Sequence, residues 1–325
     1  MKRILRYLAP LALLIAALAL VACGGGDEGE STGGTPVEAD DPQAILEQTF
    51  ASDADKKVDS GKIDLSMTIN ATGGGSTLQG PIDVSLSGPF QSQGEKEIPK
   101  FDIDVSVSGI PGQDEIQAGA TSTGEAGFVN FMGQEYAVSD EVFQQFKAGF
   151  EQAQAEQSGD QPTLASLGIE PQTWLKDPQT DGDSSVGDTD TIKISGDIDL
   201  PKMLADVNDL LSNAGSLGVP NTGQLPTELT PEQISQVEDA VKQASVEIET
   251  GKDDSILRRI AFTLAVEDPA GSGGSASIDF DLSLTELNED QEIEEPSDTK
   301  PFDELLGQLG GLGGLGGLGA LGAAG

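Results

Sequence analysis

In KIDLSMTIN, residues 62–70, Ile63, Leu65, Met67 and Ile69 alternate with Asp64, Ser66, Thr68 and Asn70. Successive residues of a strand point to opposite faces, so this segment predicts a strand with one dry and one wet side. The same period returns in PIDVSLSG, through Ile82, Val84 and Leu86, and in FDIDVSVSG, through Phe101, Ile103, Val105 and Val107. Weaker versions occupy EIQAGATS, GFVNFM and the residues around Tyr136 and Val138. DTIKISGDID repeats the pattern through Ile192, Ile194 and Ile198, and ASVEIET, ILRRIAFTLAVED and SASIDFDLSLTEL close the series. In the last two, Ile260, Phe262, Leu264 and Val266, then Ile278, Phe280, Leu282 and Leu284, mark a single face. Glycine-rich or Pro/Gly turns separate many of these runs, as expected of an antiparallel meander with one solvated face.

Between the strands the period changes to that of a helix. Asp41-Pro42 supplies an N-cap with proline at the first helical position, and Ile45, Leu46, Thr49 and Phe50 follow as a stripe. SDEVFQQFKAGFEQAQAEQ places Phe143, Phe146 and Phe150 on one face of a helix expected to end near Ser158-Gly159. Two more helices are predicted, one through Met203, Leu204, Val207, Leu210 and Leu211, the other opening on the capping-box pattern Thr230-Pro231-Glu232-Gln233. A loop-rich stretch carries the single tryptophan, Trp174, which is expected to pack beneath it. DGDSSVGDTDT, residues 181–191, gathers Asp181, Asp183, Asp188 and Asp190, but Ser185, Val186 and Ile192 stand where an EF-hand needs an Asp or Asn, a Gly and a Glu. It reads as a solvated acidic loop, and no metal is expected.

The order of elements predicts an α+β fold, a curved antiparallel sheet or half-barrel wrapped over amphipathic helices. At 36% hydrophobic residues the chain can build a core. Its 56 Asp and Glu against 17 Lys and Arg give a net charge of −39, which excludes nucleic acid, because binding to phosphate backbones needs clustered Lys and Arg. There is no histidine. Ser-His-Asp and Cys-His nucleophile systems are thereby removed, and carboxylate pairs occur in no recognisable catalytic context. The expectation is a protein that is not an enzyme and takes no cofactor.

The N-terminal residues change the picture further. Lys2, Arg3 and Arg6 precede an apolar stretch from Leu8 to Leu20, too short for the roughly 20 apolar residues that span a bilayer. The segment ends Leu20-Val21-Ala22-Cys23, and Cys23 is the only cysteine. This resembles the bacterial lipobox, which implies a signal peptide over residues 1–22, cleavage before Cys23, and acylation of its sulfur as a membrane anchor. Two or three acyl chains make such an attachment stable, at about 0.8 kcal/mol per buried CH₂. Cleavage takes away three basic residues and no acids, so the charge of −39 becomes −42. Residues 24–40, GGGDEGESTGGTPVEAD, cannot bury a core and read, with Cys23, as a flexible tether of about 23 Å mean span. With a screening length of about 8 Å, the acidic body can stand clear of anionic headgroups.

A lipoprotein signal in front of this order of elements resembles the LolA-like carriers, in particular lipoproteins of the mycobacterial LppX/LprG type. The resemblance covers roughly residues 41–287; its best local matches are GFVNFMGQEYAVSDEVFQQF (127–146) and TDTIKISGDIDLPKMLADV (189–207). It implies a sheet that holds the acyl chains of an envelope lipid against a helical layer, and carries over no catalytic signature. On that reading residues 41–290 form the lipid-binding domain and 291–325 an acidic linker with a Gly/Leu-rich disordered tail, GQLGGLGGLGGLGALG, in which glycine costs about 1 kcal/mol per interior helix position.

The candidate cavity wall comprises Ile63, Leu65, Met67, Val84, Ile103, Val105, Phe143, Phe146, Phe262, Leu264, Phe280 and Leu282. If the helices splay from the sheet, an apolar groove of ligand size remains; if they close, the same residues are core. The expected function is a membrane-anchored extracytoplasmic lipoprotein that binds or carries a lipid or other apolar molecule in the cell envelope. The alternative is a surface-displayed structural or protein-interaction lipoprotein with a filled core, its partner protein not identifiable from the sequence.

Overall fold

The structure is a computed structural model that describes residues 41–51, 56–73, 80–94, 97–156, 171–213, 230–267 and 274–311. Residues 1–40, with Cys23 and the segments expected to be signal peptide and tether, and the Gly/Leu repeat beyond residue 311 lie outside the described residues. The alternating segments form strands β1 (Ser60–Thr72), β2 (Ile82–Gln91), β3 (Lys100–Ser108), β4 (Ile116–Ser122), β5 (Gly127–Phe131) and β6 (Gln134–Ala137). Later strands are β7 (Leu175–Val186), β8 (Thr189–Ile198), β9 (Val241–Gly251), β10 (Leu257–Glu267), β11 (Ser275–Thr285) and β12 (Lys300–Pro301). The described helices are α1 (Pro42–Phe50), α2 (Asp140–Glu156), α3 (Leu200–Asn213), α4 (Pro231–Ala240) and α5 (Phe302–Gly311).

All twelve strands join one sheet in the order β12-β6-β5-β4-β3-β2-β1-β11-β10-β9-β8-β7. Every pairing is antiparallel except that of β12 with β6. The sheet is open and curved. In a flat sheet β7 would stand about 19 Å from β11, four ladders away. Instead the β7–β8 turn reaches β11: a Cβ on Gly187 would lie 3.2 Å from Thr285 Cγ2.

The register keeps one apolar face continuous. Leu65 lies opposite Leu282 on one side and Leu86 on the other, and Val105 faces Leu86 across the next ladder. Helix α1 lies against the curled part of this face. Asp41 caps it by accepting from the backbone N–H of Gln43 and Ala44 at 2.9 and 3.1 Å, which fixes where it starts. Ile45 and Leu46 are then fully buried among Leu65, Ile194, Ile248, Ile260 and Leu282. At the other end of α1 the hydroxyls of Thr49 and Thr250 meet at 2.8 Å. A second cluster sets Met203 and Leu204 of α3, with Ile234 and Val237 of α4, over Leu264 and Ile278. Trp174 is buried in that cluster, and its indole N–H donates to Asp206 of α3 at 2.7 Å.

Two segments differ from the sequence reading. DGDSSVGDTDT is not a loop: its first half ends β7, its middle is the turn, and β8 begins at Thr189. Only Val186 among residues 181–186 is apolar, and two register shifts interrupt the β7–β8 ladder, so the pairing rests on backbone bonds that leave no hydrophobic period. Residues 286–301 form a strap. Asn288 accepts from the Asp59 N–H at 2.8 Å and Gln291 is buried against the end of β2, its N–H donating to Gln91. Lys300 and Pro301 pair with Tyr136 and Ala137, and α5 follows with Leu305 buried.

The opposite sheet face is polar and holds one charge network. Arg259 donates through Nε to Asp281 at 2.9 Å and through Nη1 to Glu249 and Glu247 at 3.0 and 3.2 Å. Glu249, itself buried, also accepts from Thr191 at 2.8 Å, while Lys193 reaches Glu247 at 2.9 Å. The bonds to Asp281 hold the Arg259 guanidinium more firmly protonated than usual, and the hydrogen bond from Lys193, then that from Arg259, lower the Glu247 carboxyl. On the same face Asp104 is raised, first by burial and then by the charge of Asp102.

These opposite shifts predict opposite pH effects. Glu247 contributes stability above the ordinary glutamate range that is lost as pH falls through its lowered value. Asp104, raised, is unstrained below the ordinary aspartate range and costs stability as pH rises through its raised value. Thermal melts of Asp104→Asn should therefore exceed wild type at neutral pH and converge with it in acid. Arg259→Ala, which strands buried Glu249, should cost about 3 kcal/mol in urea unfolding at neutral pH.

Candidate functional site

The apolar face falls into two parts. On β9, β10, β11 and β1 the inward residues Val246, Ile248, Ile260, Leu264, Ile278, Leu282, Ile63 and Leu65 are buried beneath α1, α3 and α4, while Met67, Ile69, Phe262 and Val266 are half-buried. On β2 and β3 the corresponding Ile82, Val84, Leu86, Ile103, Val105 and Val107 are all only half-buried, although they continue the same ladders and Leu86 and Ile103 pack against the edge of the α1 cluster. An antiparallel strand pair with such residues on one face normally buries them. This part of the face is the candidate site.

The twelve residues singled out from sequence divide accordingly. Ile63, Leu65, Leu264, Phe280 and Leu282 are core, and Phe262 stacks on Phe280 with centroids 4.9 Å apart. Met67 sits at the border and packs against both clusters. Val84, Ile103 and Val105 line the half-buried part. Phe143 is buried, its ring lying where a Cβ on Gly127 would come within 2.9 Å, so the glycine makes room for it. Phe146, one turn on, is 57% exposed, with its centroid 6.4 Å from that of Phe143.

The sequence reading missed residues that shape one end of this wall. Ser60, Gln91, Lys100, Ser122, Gly127 and Ala137 all lie at the same end of the sheet, since each is paired with, or one residue from, its neighbour in the ladder. The strap runs along it. Gly61 leaves space that Leu287 of the strap enters: a Cβ there would meet Leu287 Cδ2 at 2.5 Å and Phe90 Cζ at 3.4 Å. Phe90 lies opposite Phe101, and Phe143 stands over β5 at the same end. At the other end the wall finishes in Ile69, Ile82, Val107 and Ile116, with Phe131 beside them at the end of β5.

The polar face offers a different concavity, a groove of about 280 Å³ over Ala261. Its guanidinium, Arg259, is occupied by the protein's own carboxylates, and its rim is Ser66, Thr68, Asp279 and Asp281. Among the described residues no group of His, Cys, Asp and Glu is arranged to hold a metal ion, and no helix is long and apolar enough to cross a membrane.

Comparison with solved structures finds two mycobacterial proteins among its matches. LprF from Mycobacterium bovis matches 81% of this chain and 100% of its own length, at 16% identity and a TM-score of 0.37. The Mycobacterium tuberculosis lipoprotein LppX matches 78% of this chain and 97% of its own length, at 14% identity and a TM-score of 0.32. No protein-family model matches the sequence, and no curated protein matches it.

The two parts of the face should respond differently to a buried charge. Leu282→Asp should abolish cooperative unfolding, whereas Val105→Asp should leave a folded protein; Leu282→Ala should cost about 3 kcal/mol and Val105→Ala about 1 kcal/mol or less by urea titration.

Proposed function

We propose that this chain is a membrane-anchored extracytoplasmic lipoprotein that binds or carries a lipid or similar apolar molecule in the cell envelope. The observation that carries the reading is the contrast within one continuous face: most inward residues of β9–β11 and β1 are buried, whereas every inward Ile, Val and Leu of β2 and β3 is half-buried. Contiguous aliphatic surface of this size, without a charge among its lining residues, suits alkyl chains. The helical layer supplies the second wall in this reading, and α1, α3 and α4 hold the remainder of the sheet rigid beneath it. Residues 1–22 act as the signal peptide, Cys23 as the acylated residue and 24–40 as the tether. The role is binding rather than catalysis, as the lack of histidine and of any thiol beyond Cys23 supports.

Two measurements test this. Cys23→Ser should abolish acylation at that position, and globomycin should block cleavage before Cys23; processing unchanged by both contradicts the anchor. Native mass spectrometry of the protein expressed in bacteria should show adducts of lipid mass. An apo mass together with no uptake of a fluorescent fatty acid would leave the filled-core interaction module in its place.

A further inference from the structure

We propose that the apolar wall is blind at the strap end and open at the other, so that Phe90, Phe101 and Leu287 limit the length of alkyl chain it accepts. The inference rests on the lipid-binding reading and adds a direction and a stop to it. Phe90 and Phe101 are directly paired on β2 and β3, and Leu287 and Phe90 both border the space left by Gly61. Four elements converge there: the β1–β2 and β2–β3 ladders, the strap held by Asn288 and Gln291, and α2 through Phe143. Ile98, in the connection between β2 and β3, is buried at the same end. Among the described residues no strap crosses the end formed by Ile82, Val107 and Ile116, where the neighbouring β5 contributes Phe131.

A chain entering between Ile82 and Ile116 therefore lies along β2 and β3 and stops against a layer of aromatic and leucine side chains. From Ile82 to Phe90 the wall is about 26 Å long at about 3.3 Å per residue. That exceeds the roughly 15 Å of one bilayer leaflet, so the wall can take the whole of an alkyl chain. Each further CH₂ placed on it gains burial until the stop is met; beyond it, added carbons stay in water or must fold back.

The test is a length series of straight-chain saturated fatty acids, measured by displacement of a fluorescent fatty acid from the mature chain carrying Cys23→Ser in detergent-free buffer. Wild-type affinity should rise about fourfold per CH₂ and then level off. Phe101→Ala and Leu287→Ala should move the plateau to longer chains without changing affinity for short ones, and Phe101→Leu, which keeps more of the packing, should move it less. Ile116→Trp, at the opposite end, should weaken every length equally and leave the plateau where it was. A plateau unmoved by both Phe101→Ala and Leu287→Ala, in variants that still bind short chains and melt cooperatively, overturns the stop while leaving lipid binding intact. Absence of binding at every length in the wild type overturns both.

Discussion

The constraint from which the rest follows is that a sheet face of alternating Ile, Val, Leu and Phe must be kept from water along its whole width. Twelve strands form one such sheet, and the described helices are short, so coverage is the scarce resource. Curling solves the problem on one side: β7 bends back toward β11, α1 fills the concavity, and the α3–α4 pair closes over Leu264 and Ile278. What remains on β2–β4 is a wall built to the same pattern but left half-buried. A packed core on one part gives the rigid backing that a binding surface on the other requires.

The polar face follows the same logic in reverse. Its Asp, Glu, Ser and Thr side chains pair across strands, as in Thr68 with Asp83, Ser85 with Ser106 and Thr263 with Asp279, and Arg259 gathers the carboxylates nearest the sheet centre. The outcome is a sheet that cannot slip by one residue, because a slip would carry Arg259 and Glu249 to the apolar side. The net charge of −39 then keeps the protein soluble despite its aliphatic wall.

Strands whose apolar residues pack on a face announced themselves in the sequence: Ile63 to Ile69, Phe101 to Val107 and Ile278 to Leu284 all fall where alternation put them. The cap at Asp41 did the same for α1. Elements without an alternating apolar period did not, because β7 has a solvated acidic edge and the strap is acidic enough to read as a linker. The split of the wall into core and half-buried parts was likewise invisible, since Val105 and Leu282 have the same neighbours along the chain and differ only in whether a helix lies above them. Leu287 depended on a glycine 226 positions earlier, at Gly61, which no local pattern connects to it.

The central claim is that β2, β3 and β4 present a wall meant for a molecule other than the protein itself. A crystal structure of the chain purified from bacterial membranes without delipidation tests it most directly. The account predicts elongated density running beside Val84, Val105 and Val107 and ending at Phe101, with the cluster around Leu282 as dry as it is now. The same three valines sealed by the chain's own helices, with no density between, would contradict it.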